Sequence, residues 1–337
     1  MTDPAFWRGK RVLVAGATGF LGGWLVRRLV EYEAQVVSLV HRPKPESQFY
    51  LGGFDRKTEV VQGDISDAKL MSETFDRYSP EVFFHAAGWA DVIQVLKDPL
   101  QCFRGAVLST WTILEHIRAN EVGCVSVISS SDKAYGSQAL PYRESAPLTP
   151  VHPYEVAKAS QDYVAQSYGK IYGLPVAVTR CGNYFGGYDF NFARLIPGVI
   201  RSLVEGEQPI LRSDGKFTRD YLYIEDAVDV QLDLAEKLHR DPTLYGEAFN
   251  FSYGAQVEVI EIVERIAELF GSAVKPLVNN SVSVEIRHMH LSSDKARSRL
   301  GWEPACGFDE GLKRTVDWYI RHIGGKTEPS QNALSTV

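Results

Sequence analysis

A tyrosine and a lysine four residues apart are the side chains of this sequence best suited to moving a proton. They lie in the segment Pro153-Tyr154-Glu155-Val156-Ala157-Lys158. Proline is favoured in the first turn of a helix, so a helix that begins at Pro153 places Tyr154 and Lys158 on one face. A neighbouring ammonium favours the phenolate and lowers the pKa of a tyrosine from its ordinary value of about 10. We therefore predict that Tyr154 serves as a base near neutral pH.

A run of serines follows a predicted buried strand and adds hydroxyl groups to this chemistry. The strand Val125-Ser126-Val127-Ile128 leads into S-S-S-D-K-A-Y-G, which spans Ser129 to Gly136. A serine hydroxyl at the end of that strand can bind the same substrate oxygen as Tyr154. Together the two groups are suited to converting an alcohol into a ketone. Because Tyr-x-x-x-Lys is common by chance, and a serine run is often only a loop, the interpretation depends on the rest of the chain.

A glycine-rich turn joins the first predicted strand to the first long helix. Arg11 to Ala15 is a short apolar strand, Gly16 to Gly22 has the spacing G-x-x-G-x-x-G, and an amphipathic helix spans Trp24 to about Glu33. Glycines let the backbone approach a pyrophosphate, and a helix N-terminus supplies free N–H groups and a positive dipole end. The turn predicts a dinucleotide site with contacts from Gly16, Gly19, Phe20, Leu21 and Gly22.

The second predicted strand ends in cations where dinucleotide-binding folds usually carry an acid. Gln35 to Val40 leads into His41-Arg42. The usual acid binds the adenosine ribose, so electrostatics at Arg42 favours a 2′-phosphate and hence NADP, with a solvated loop arginine as the alternative. Further cofactor contacts are predicted at later strand ends, with Asp64 at the adenine amino group and small residues against the cofactor: Asp64, Ile65, Ala86 and Ala87.

Strands alternate with helices through the first half of the chain. Each strand is apolar enough for burial on both faces, which indicates a doubly wound parallel sheet, an α/β Rossmann fold, with ligands at the carboxyl ends of the strands. We predict a dinucleotide-binding domain over residues 1–180, completed by about 220–252. A smaller C-terminal mixed α/β lobe for the substrate is predicted over 181–219 and 253–323, followed by a disordered tail at 324–337.

Three polar residues after the sixth strand are candidates for binding a diphosphate. Guanidinium groups match phosphate oxygens bidentately, and the candidates are Asn183, Arg194 and Arg219. Each of them taken singly is as well explained as a surface residue. Their joint position beyond the sixth strand favours the binding role.

Composition excludes several functional classes. The chain has 337 residues, 45% of them hydrophobic, and a formal net charge of −6, which disfavours a nucleic-acid binder or a protein of anionic membrane surfaces. The four cysteines, Cys102, Cys124, Cys181 and Cys306, have no paired metal spacing, so no metal site is predicted. Neither a signal peptide nor an apolar run of membrane-spanning length is present, and we expect a cytoplasmic protein.

Taken together, these motifs make the chain resemble the extended short-chain dehydrogenase/reductase family, in its NAD-dependent epimerase/dehydratase group that acts on nucleotide sugars. The resemblance covers about residues 7 to 320 and rests on the Gly16 to Gly22 turn, Ser131, Tyr154-x-x-x-Lys158, R-C-G-N at Arg180 to Asn183, R-L-I-P at Arg194 to Pro197 and R-D-Y-L-Y-I-E-D at Arg219 to Asp226. It implies a nucleotide-sugar substrate. It also implies that Ser131, Tyr154 and Lys158 are the catalytic trio, with Tyr154 the base at the C4 hydroxyl and Lys158 also binding the nicotinamide ribose.

The pair Asp132-Lys133 narrows the resemblance to 4,6-dehydratases. The chain reads S-S-S-D-K-A-Y-G; the serine run is similar to that of 4-epimerases, whereas an acid after the Ser or Thr is typical of dehydratases, with T-D-K in the CDP-glucose enzymes. That resemblance implies loss of the C6 hydroxyl as water from a 4-keto intermediate, with Asp132 as the acid and Lys133 as the base at C5. A structural salt bridge is the alternative for Lys133. The CDP-glucose enzymes use NAD without the missing acid, so NAD is favoured over NADP.

Other activities remain open at this point. A nucleotide-sugar epimerase forms the same 4-keto intermediate, an NADPH-dependent keto-sugar reductase suits Arg42, and a non-catalytic dinucleotide-binding module suits Ala106, which stands where the family has an asparagine. The family commonly dimerises through two long helices, which implies a homodimer. The helix residues expected to pack on a partner, with the intramolecular core as the alternative, are Val156, Val164, Ala165 and Tyr168.

Overall fold

The protein was analysed as a computed structural model, which describes residues 2–89, 92–280 and 286–323. Its strands in chain order are β1 (Arg11–Ala15), β2 (Gln35–Val40), β3 (Glu59–Gln62), β4 (Val82–His85), β5 (Val125–Ser129), β6 (Val176–Cys181), β7 (Asn183–Phe185), β8 (Ile210–Leu211), β9 (Thr218–Arg219), β10 (Tyr221–Tyr223), β11 (Ala248–Phe251), β12 (Val257–Glu258) and β13 (Leu277–Val278). Its α-helices are α1 (Pro4–Trp7), α2 (Phe20–Glu31), α3 (Gln48–Leu51), α4 (Ala68–Tyr78), α5 (Val92–Lys97), α6 (Pro99–Phe103), α7 (Ser109–Ala119), α8 (Pro153–Tyr172), α9 (Leu195–Val204), α10 (Ile224–Arg240), α11 (Val259–Leu269), α12 (Asp294–Leu300) and α13 (Phe308–Ile323).

Seven parallel strands form the central sheet in the order β11-β6-β5-β4-β1-β2-β3. Chain order reverses beside β1, which pairs with both β2 and β4. The inner strands are buried on both faces because helices cover each side, and two separate apolar clusters pack there. The predicted doubly wound α/β fold is confirmed, and a fold of this kind binds ligands beyond the carboxyl ends of its strands.

Short two-stranded sheets hold the segments that follow β6. β7 pairs with β10 and β8 with β13 in parallel, whereas β9 and β12 are antiparallel. β10 therefore lies outside the main sheet, although β11 completes that sheet beside β6. These short pairs bring segments that are distant in the sequence next to the end of β6. The division into two domains at the predicted boundaries stays a prediction.

The sequence predicts long helices over about 99–120 and from Pro153. The chain is helical without a break from Pro99 to Ala119, with one π-helical turn at Arg104–Leu108 between α6 and α7. Helix α8 begins at Pro153 as predicted. Of the residues expected to pack on a partner, Ala165 is fully buried, Val164 and Tyr168 are half-buried against the core of the same chain, and Val156 is half-buried. Their role in pairing stays a prediction.

The C-terminal tail and the membrane-spanning potential of the helices were both predicted from the sequence. The tail predicted to be disordered, residues 324–337, lies outside the described residues. Across the described ranges, we find no helix with both the length and the apolar character that crossing a lipid bilayer requires.

Candidate active site

Helix α8 fixes the tyrosine and lysine that the sequence singles out. His152 caps the helix, because its Nδ1 accepts a hydrogen bond from the Tyr154 backbone N–H at 3.1 Å. Glu155 completes the cap, with its Oε2 accepting from the His152 N–H at 3.2 Å. Pro153 occupies the first turn, where no backbone donor is needed. This cap sets Tyr154 and Lys158 one turn apart at the start of the helix.

Lys158 ties the helix to the end of β5. Its ammonium donates to the Ser129 carbonyl oxygen at 2.7 Å and to Gln161 Oε1 at 3.0 Å. The hydroxyl of Ser130 returns a hydrogen bond to the Lys158 carbonyl oxygen at 3.3 Å. Burial lowers the pKa of Lys158 to about 8, although Cys102 and Asp162 oppose the shift. The lysine and the serine run therefore form one rigid unit.

Tyr154 is buried beside Ser131, but its pKa moves in the direction opposite to the prediction. Burial raises the pKa of Tyr154 to about 12, whereas a hydrogen bond with Ser131 lowers it and the charge of Asp132 raises it further. The predicted lowering by Lys158 is wrong for the protein alone. The physical reason is that burial outweighs the neighbouring charges, while the Lys158 ammonium is engaged by Ser129 and Gln161.

Asp132 is a fully buried acid with one unused oxygen. Its Oδ1 accepts a hydrogen bond from the Ser131 hydroxyl at 2.9 Å. Its Oδ2 is buried and has no hydrogen-bond partner among the described residues. Burial raises the pKa of Asp132, against the opposing influence of Lys133, Ser131 and Arg219. A carboxyl group in this setting favours its protonated form and can donate a proton.

Lys133 follows Asp132 on the same short 3-10 turn, Asp132–Tyr135. Its charge acts on Asp132 and on His152, so it is near both groups. Within the described parts of the chain its ammonium makes no ion pair of the usual length, so the predicted salt-bridge alternative is not found there. Lys133 is half-buried at the side of the site.

Two site residues were missed at the sequence level, Asp220 and Tyr184. Asp220 is buried, and its Oδ2 accepts from the Leu291 N–H at 2.9 Å. Burial raises the pKa of Asp220 to about 7, and the charge of Asp132 adds to this shift. The hydroxyl of Tyr184 is buried among Cys181, Tyr154 and Asp132, which together with burial raise its pKa. In the sequence, the only feature that could have pointed to Asp220 is its place in the motif at Arg219 to Asp226.

The glycine turn after β1 packs closely against the end of β4. Gly16 has φ +87°, and a Cβ there would lie 2.8 Å from the Ala86 carbonyl group and the Ala87 nitrogen. A Cβ on Gly22 would lie 2.0 Å from the Gly16 carbonyl oxygen. Helix α2 starts at Phe20 with no side-chain cap, so its first N–H groups point into the turn uncapped. This geometry fits the phosphates of a dinucleotide.

The predicted adenosine contacts lie at the ends of β2 and β3. Asp64 Oδ1 accepts hydrogen bonds from both the backbone and the hydroxyl of Ser66 at 2.8 Å. These bonds lower the pKa of Asp64 against the effect of burial, with help from His41, whose Nε2 lies 3.6 Å from Oδ2. Arg42 is exposed, and Ile65 is buried. The cluster brings two cations, His41 and Arg42, to the position of the missing acid.

The three predicted phosphate ligands surround the other side of the site. Asn183 donates from its backbone N–H to the Asp220 carbonyl oxygen at 2.8 Å. Arg194 pairs with Asp189 at 2.9 Å and its charge reaches Tyr154.

Arg219 donates to the carbonyl oxygens of Thr218 and Arg287 at 3.0 and 3.1 Å, and its charge acts on Asp132. Both arginines are therefore close enough to the buried carboxyl and phenol groups to influence their protonation.

Comparison with known proteins defines the family. The family described as GDP-mannose 4,6 dehydratase matches residues 13–315 of this chain. The chain belongs to this family. One relative is the CDP-glucose 4,6-dehydratase of Salmonella typhimurium. It is 29% identical to this chain over 343 residues, and the match covers 97% of this chain and 95% of that protein.

Solved structures similar to this member of the GDP-mannose 4,6 dehydratase family include two kinds of enzyme. UDP-glucose 4-epimerase from Thermotoga maritima, crystallised with UDP-glucose, has a TM-score of 0.83 and 26% identity, covering 93% of this chain and 99% of that one. A dTDP-glucose 4,6-dehydratase from Streptomyces venezuelae, with NAD and TYD bound, has a TM-score of 0.81 and 28% identity, covering 95% and 99%. The predicted resemblance to the epimerase/dehydratase group is confirmed.

Proposed function

We propose that this protein is an NAD-dependent nucleotide-sugar 4,6-dehydratase, with CDP-glucose as the first substrate to test. Family membership and the similar CDP-glucose 4,6-dehydratase support the reaction class. One observation carries the choice of dehydration: Asp132 is a buried carboxyl with a raised pKa and an unused Oδ2, directly after Ser131 and close to Tyr154. An acid in that state is what the departure of a hydroxyl group as water requires.

The residues at the glycine turn, at the start of α2 and at the end of β4 fit NAD. The uncapped start of α2 and the turn of Gly16 to Gly22 are suited to the pyrophosphate, and Ala86 and Ala87 at the end of β4 lie directly against this turn. Similar dehydratase structures contain NAD. NAD held by these residues would supply a hydride acceptor for C4 of the sugar and a hydride donor for C6.

Oxidation at C4 uses the residues held on α8 and at the end of β5. Tyr154 takes the proton of the C4 hydroxyl, and Ser131 shares its hydrogen bond with the same oxygen. Lys158, fixed by the Ser129 carbonyl oxygen, supplies the positive charge that favours this proton transfer. The same ammonium would hold the nicotinamide ribose of a bound NAD. The pKa of Tyr154, raised to about 12 by burial, means that substrate and cofactor binding must assist the phenol in becoming a base.

Elimination of water uses Asp132 and Lys133 on the 3-10 turn Asp132–Tyr135. The C4 ketone acidifies the proton on C5, and this proton is transferred to Lys133 while the C5–C6 double bond forms. Asp132 gives its proton to the C6 hydroxyl, and the C6–O bond breaks with release of water. Lys133 then returns its proton to C5 as the hydride reaches C6. The proton that Tyr154 took from C4 replaces the one that left Asp132, so the protein ends as it began.

An epimerase is the second candidate, because UDP-glucose 4-epimerase has the same fold with a TM-score of 0.83 and 26% identity. Its reaction oxidises C4 and then reduces it again, and no hydroxyl group leaves that Asp132 could protonate. A buried acid held in its protonated form is therefore an unneeded cost in an epimerase. This difference favours the dehydratase.

We also propose that two copies of the chain pair through α7 and α8. Apolar side chains on this side of the molecule are exposed, with Leu108 at 41%, Trp111 at 56% and Tyr163 at 52%. They add exposed apolar surface to the half-buried Val156, Val164 and Tyr168 that the sequence suggested. A Trp111→Asp variant should shift the gel-filtration mass from dimer to monomer, and a wild-type monomer at micromolar concentration would rule the pairing out. The cytoplasmic location stays a prediction.

The experiment that tests the reaction is mass spectrometry of nucleotide hexoses incubated with the purified protein and catalytic NAD or NADP. Loss of one water from a single member of a CDP-, dTDP-, UDP- and GDP-hexose panel is the expected result. An isobaric product with altered NMR couplings would replace the dehydratase by the epimerase. A product that needs stoichiometric reduced cofactor would indicate a reductase, and no product with bound cofactor would indicate a binding module.

A further inference from the structure

Tyr184 lies at the junction between the main sheet and the following short strands. It is the central residue of β7, which starts two residues after β6 ends and pairs with β10 opposite Leu222. Because side chains alternate along a strand, Tyr184 points away from the side of its neighbour Phe185. Phe185 packs in the core against Tyr221 and Phe308. The phenol of Tyr184 is thereby directed to the opposite side.

The hydroxyl of Tyr184 meets the reacting groups of the site. The residues whose charges act on this phenol are Cys181, Tyr154 and Asp132. Tyr154 is the proposed base at C4, and Asp132 is the proposed acid at C6. A hydroxyl group influenced by both lies along the edge of the hexose that runs from C4 to C6.

This hydroxyl is buried and makes no hydrogen bond of ordinary geometry with any described residue. The thiol of Cys181 beside it is only a weak acceptor. A buried hydroxyl without a partner is costly in a protein interior. Its raised pKa keeps the proton on the oxygen, so it is available as a donor. The unused Oδ2 of Asp132 adds a second unsatisfied polar atom to the same pocket.

We propose that Tyr184 donates a hydrogen bond to the C6 oxygen of the hexose and holds it against Oδ2 of Asp132 during elimination. This inference rests on the proposed dehydratase function. With both groups on one oxygen, Asp132 supplies the proton and Tyr184 stabilises the negative charge that develops as the C6–O bond breaks. The bond to C6 breaks and water leaves, as in the reaction above, so Tyr184 neither gains nor loses a proton overall.

The C4 oxygen is the less suitable acceptor for this hydroxyl. Tyr154 and Ser131 already interact with each other at that position, and together they satisfy a single oxygen. For the C6 oxygen, Asp132 is the only hydrogen-bond donor assigned in the proposed reaction. A second donor is therefore most useful at C6, where the leaving group carries charge.

The test compares wild type, Tyr184→Phe and the control Tyr253→Phe in full-length protein. Tyr253 carries a hydroxyl with two partners, the Asp226 carboxylate and the Tyr223 N–H at 3.0 Å, in the C-terminal part of the chain. Turnover of the hexose that wild type dehydrates is followed by mass spectrometry, and bound reduced nicotinamide by its near-ultraviolet absorbance. A 6-deoxy analogue of the same nucleotide sugar reports C4 oxidation alone.

For Tyr184→Phe we expect dehydration to slow about 10- to 100-fold. Reduced nicotinamide should accumulate during turnover, because oxidation continues while elimination is impeded. Oxidation of the 6-deoxy analogue should match wild type, and the melting temperature should change little, since the only contact that the hydroxyl loses among the described residues is the weak one with the Cys181 thiol. Tyr253→Phe should lower the melting temperature without accumulation of reduced nicotinamide.

Three outcomes would overturn the assignment of Tyr184. Unchanged dehydration by Tyr184→Phe would remove its role. Equal slowing with the 6-deoxy analogue would place its effect at C4, and a melting temperature lowered as in Tyr253→Phe would make it structural. Failure of the wild type to release water from any hexose is a separate result, because it contradicts the proposed function before Tyr184 is tested.

Discussion

Two buried polar clusters lie at the carboxyl side of the sheet, and they differ in how completely their atoms are satisfied. In the first, Arg180 donates to both carboxylate oxygens of Asp162 at 2.7 and 3.0 Å and to the hydroxyl of Tyr135 at 2.7 Å. Tyr135 in turn donates to Asn250 Oδ1 at 2.8 Å, and Gln166 donates to Asp162 at 2.6 Å. Each charge in this cluster has a partner of opposite charge or a hydrogen bond.

The second cluster contains Asp132, Asp220 and Tyr184, and it is left incomplete. Burial raises the pKa of both carboxyl groups, and the charge of Asp132 adds to the shift of Asp220. No arginine or lysine forms an ion pair of the usual length with either carboxyl group in the described ranges. One oxygen of Asp132 and the hydroxyl of Tyr184 have no partner there. The comparison teaches that a cluster whose polar atoms all have partners stabilises the fold. A cluster with unpartnered polar atoms beside Tyr154 and Lys158 keeps those atoms available for a substrate.

Replacing Asp132 by asparagine should have the largest effect on activity. Asparagine has the same shape but no acidic proton, so dehydration should fall by about 10²- to 10⁴-fold. The melting temperature should stay the same or rise, because a buried ionisable group is removed. Water loss measured by mass spectrometry, with thermal unfolding in parallel, checks both expectations. Full turnover by Asp132→Asn would assign the chemistry to the epimerase.

Replacing Asp162 by asparagine should instead reduce stability. The change leaves the charge of Arg180 buried without its carboxylate, which typically costs about 3–5 kcal/mol in the free energy of unfolding. Urea denaturation measures this loss. The double variant Asp162→Leu with Arg180→Met is the matched control and should recover much of it, because no unpaired charge remains. Equal stability of Asp162→Asn and wild type would show that the satisfied cluster does not stabilise the fold.

The third prediction concerns the pH dependence of stability through Asp220. Its pKa is about 7 in the folded chain and 3.8 as an ordinary carboxyl group, so the native state binds the extra proton between these values. The free energy of unfolding should therefore fall as pH rises from about 4 to about 7, by up to about 4 kcal/mol.

In Asp220→Asn this loss should be absent, while below about pH 4 both proteins should respond to pH alike. Urea denaturation of the two proteins at pH 4.5, 6 and 7.5 makes the measurement. Parallel curves for the two proteins would contradict the shifted pKa, and hence the view that the two carboxyl groups share one poorly solvated pocket.

The sequence predicted the parts of the fold that have long or periodic patterns. The apolar strands β1 and β2 occur with the predicted bounds, and Pro153 marks the start of α8. The glycine spacing placed the turn that packs against Ala86. Each of these signals is local, because it depends on residues within a few positions of one another.

The features of the fold and the site that the sequence did not predict depend on contacts between residues that are distant in the chain. Strands of two or three residues, such as β7 and β10, carry no periodicity, so their pairing could not be read from the sequence. That pairing nevertheless brings Asp220 and Tyr184 to Asp132. The pKa of Tyr154 was also wrong, because the depth of burial decides its sign and neighbours in the sequence do not report it.

The 3-10 turn Asp132–Tyr135 separates two halves of the chemistry within the chain. The acid and the base assigned to elimination, Asp132 and Lys133, lie on this one turn. The base and the lysine assigned to oxidation, Tyr154 and Lys158, lie on α8, which is bound to β5 through Lys158 and Ser129. Evolution can therefore exchange a lyase for an isomerase by substitutions within a single turn, without rebuilding the oxidising half. For protein engineering, the same turn is the compact place at which to change the product of the reaction.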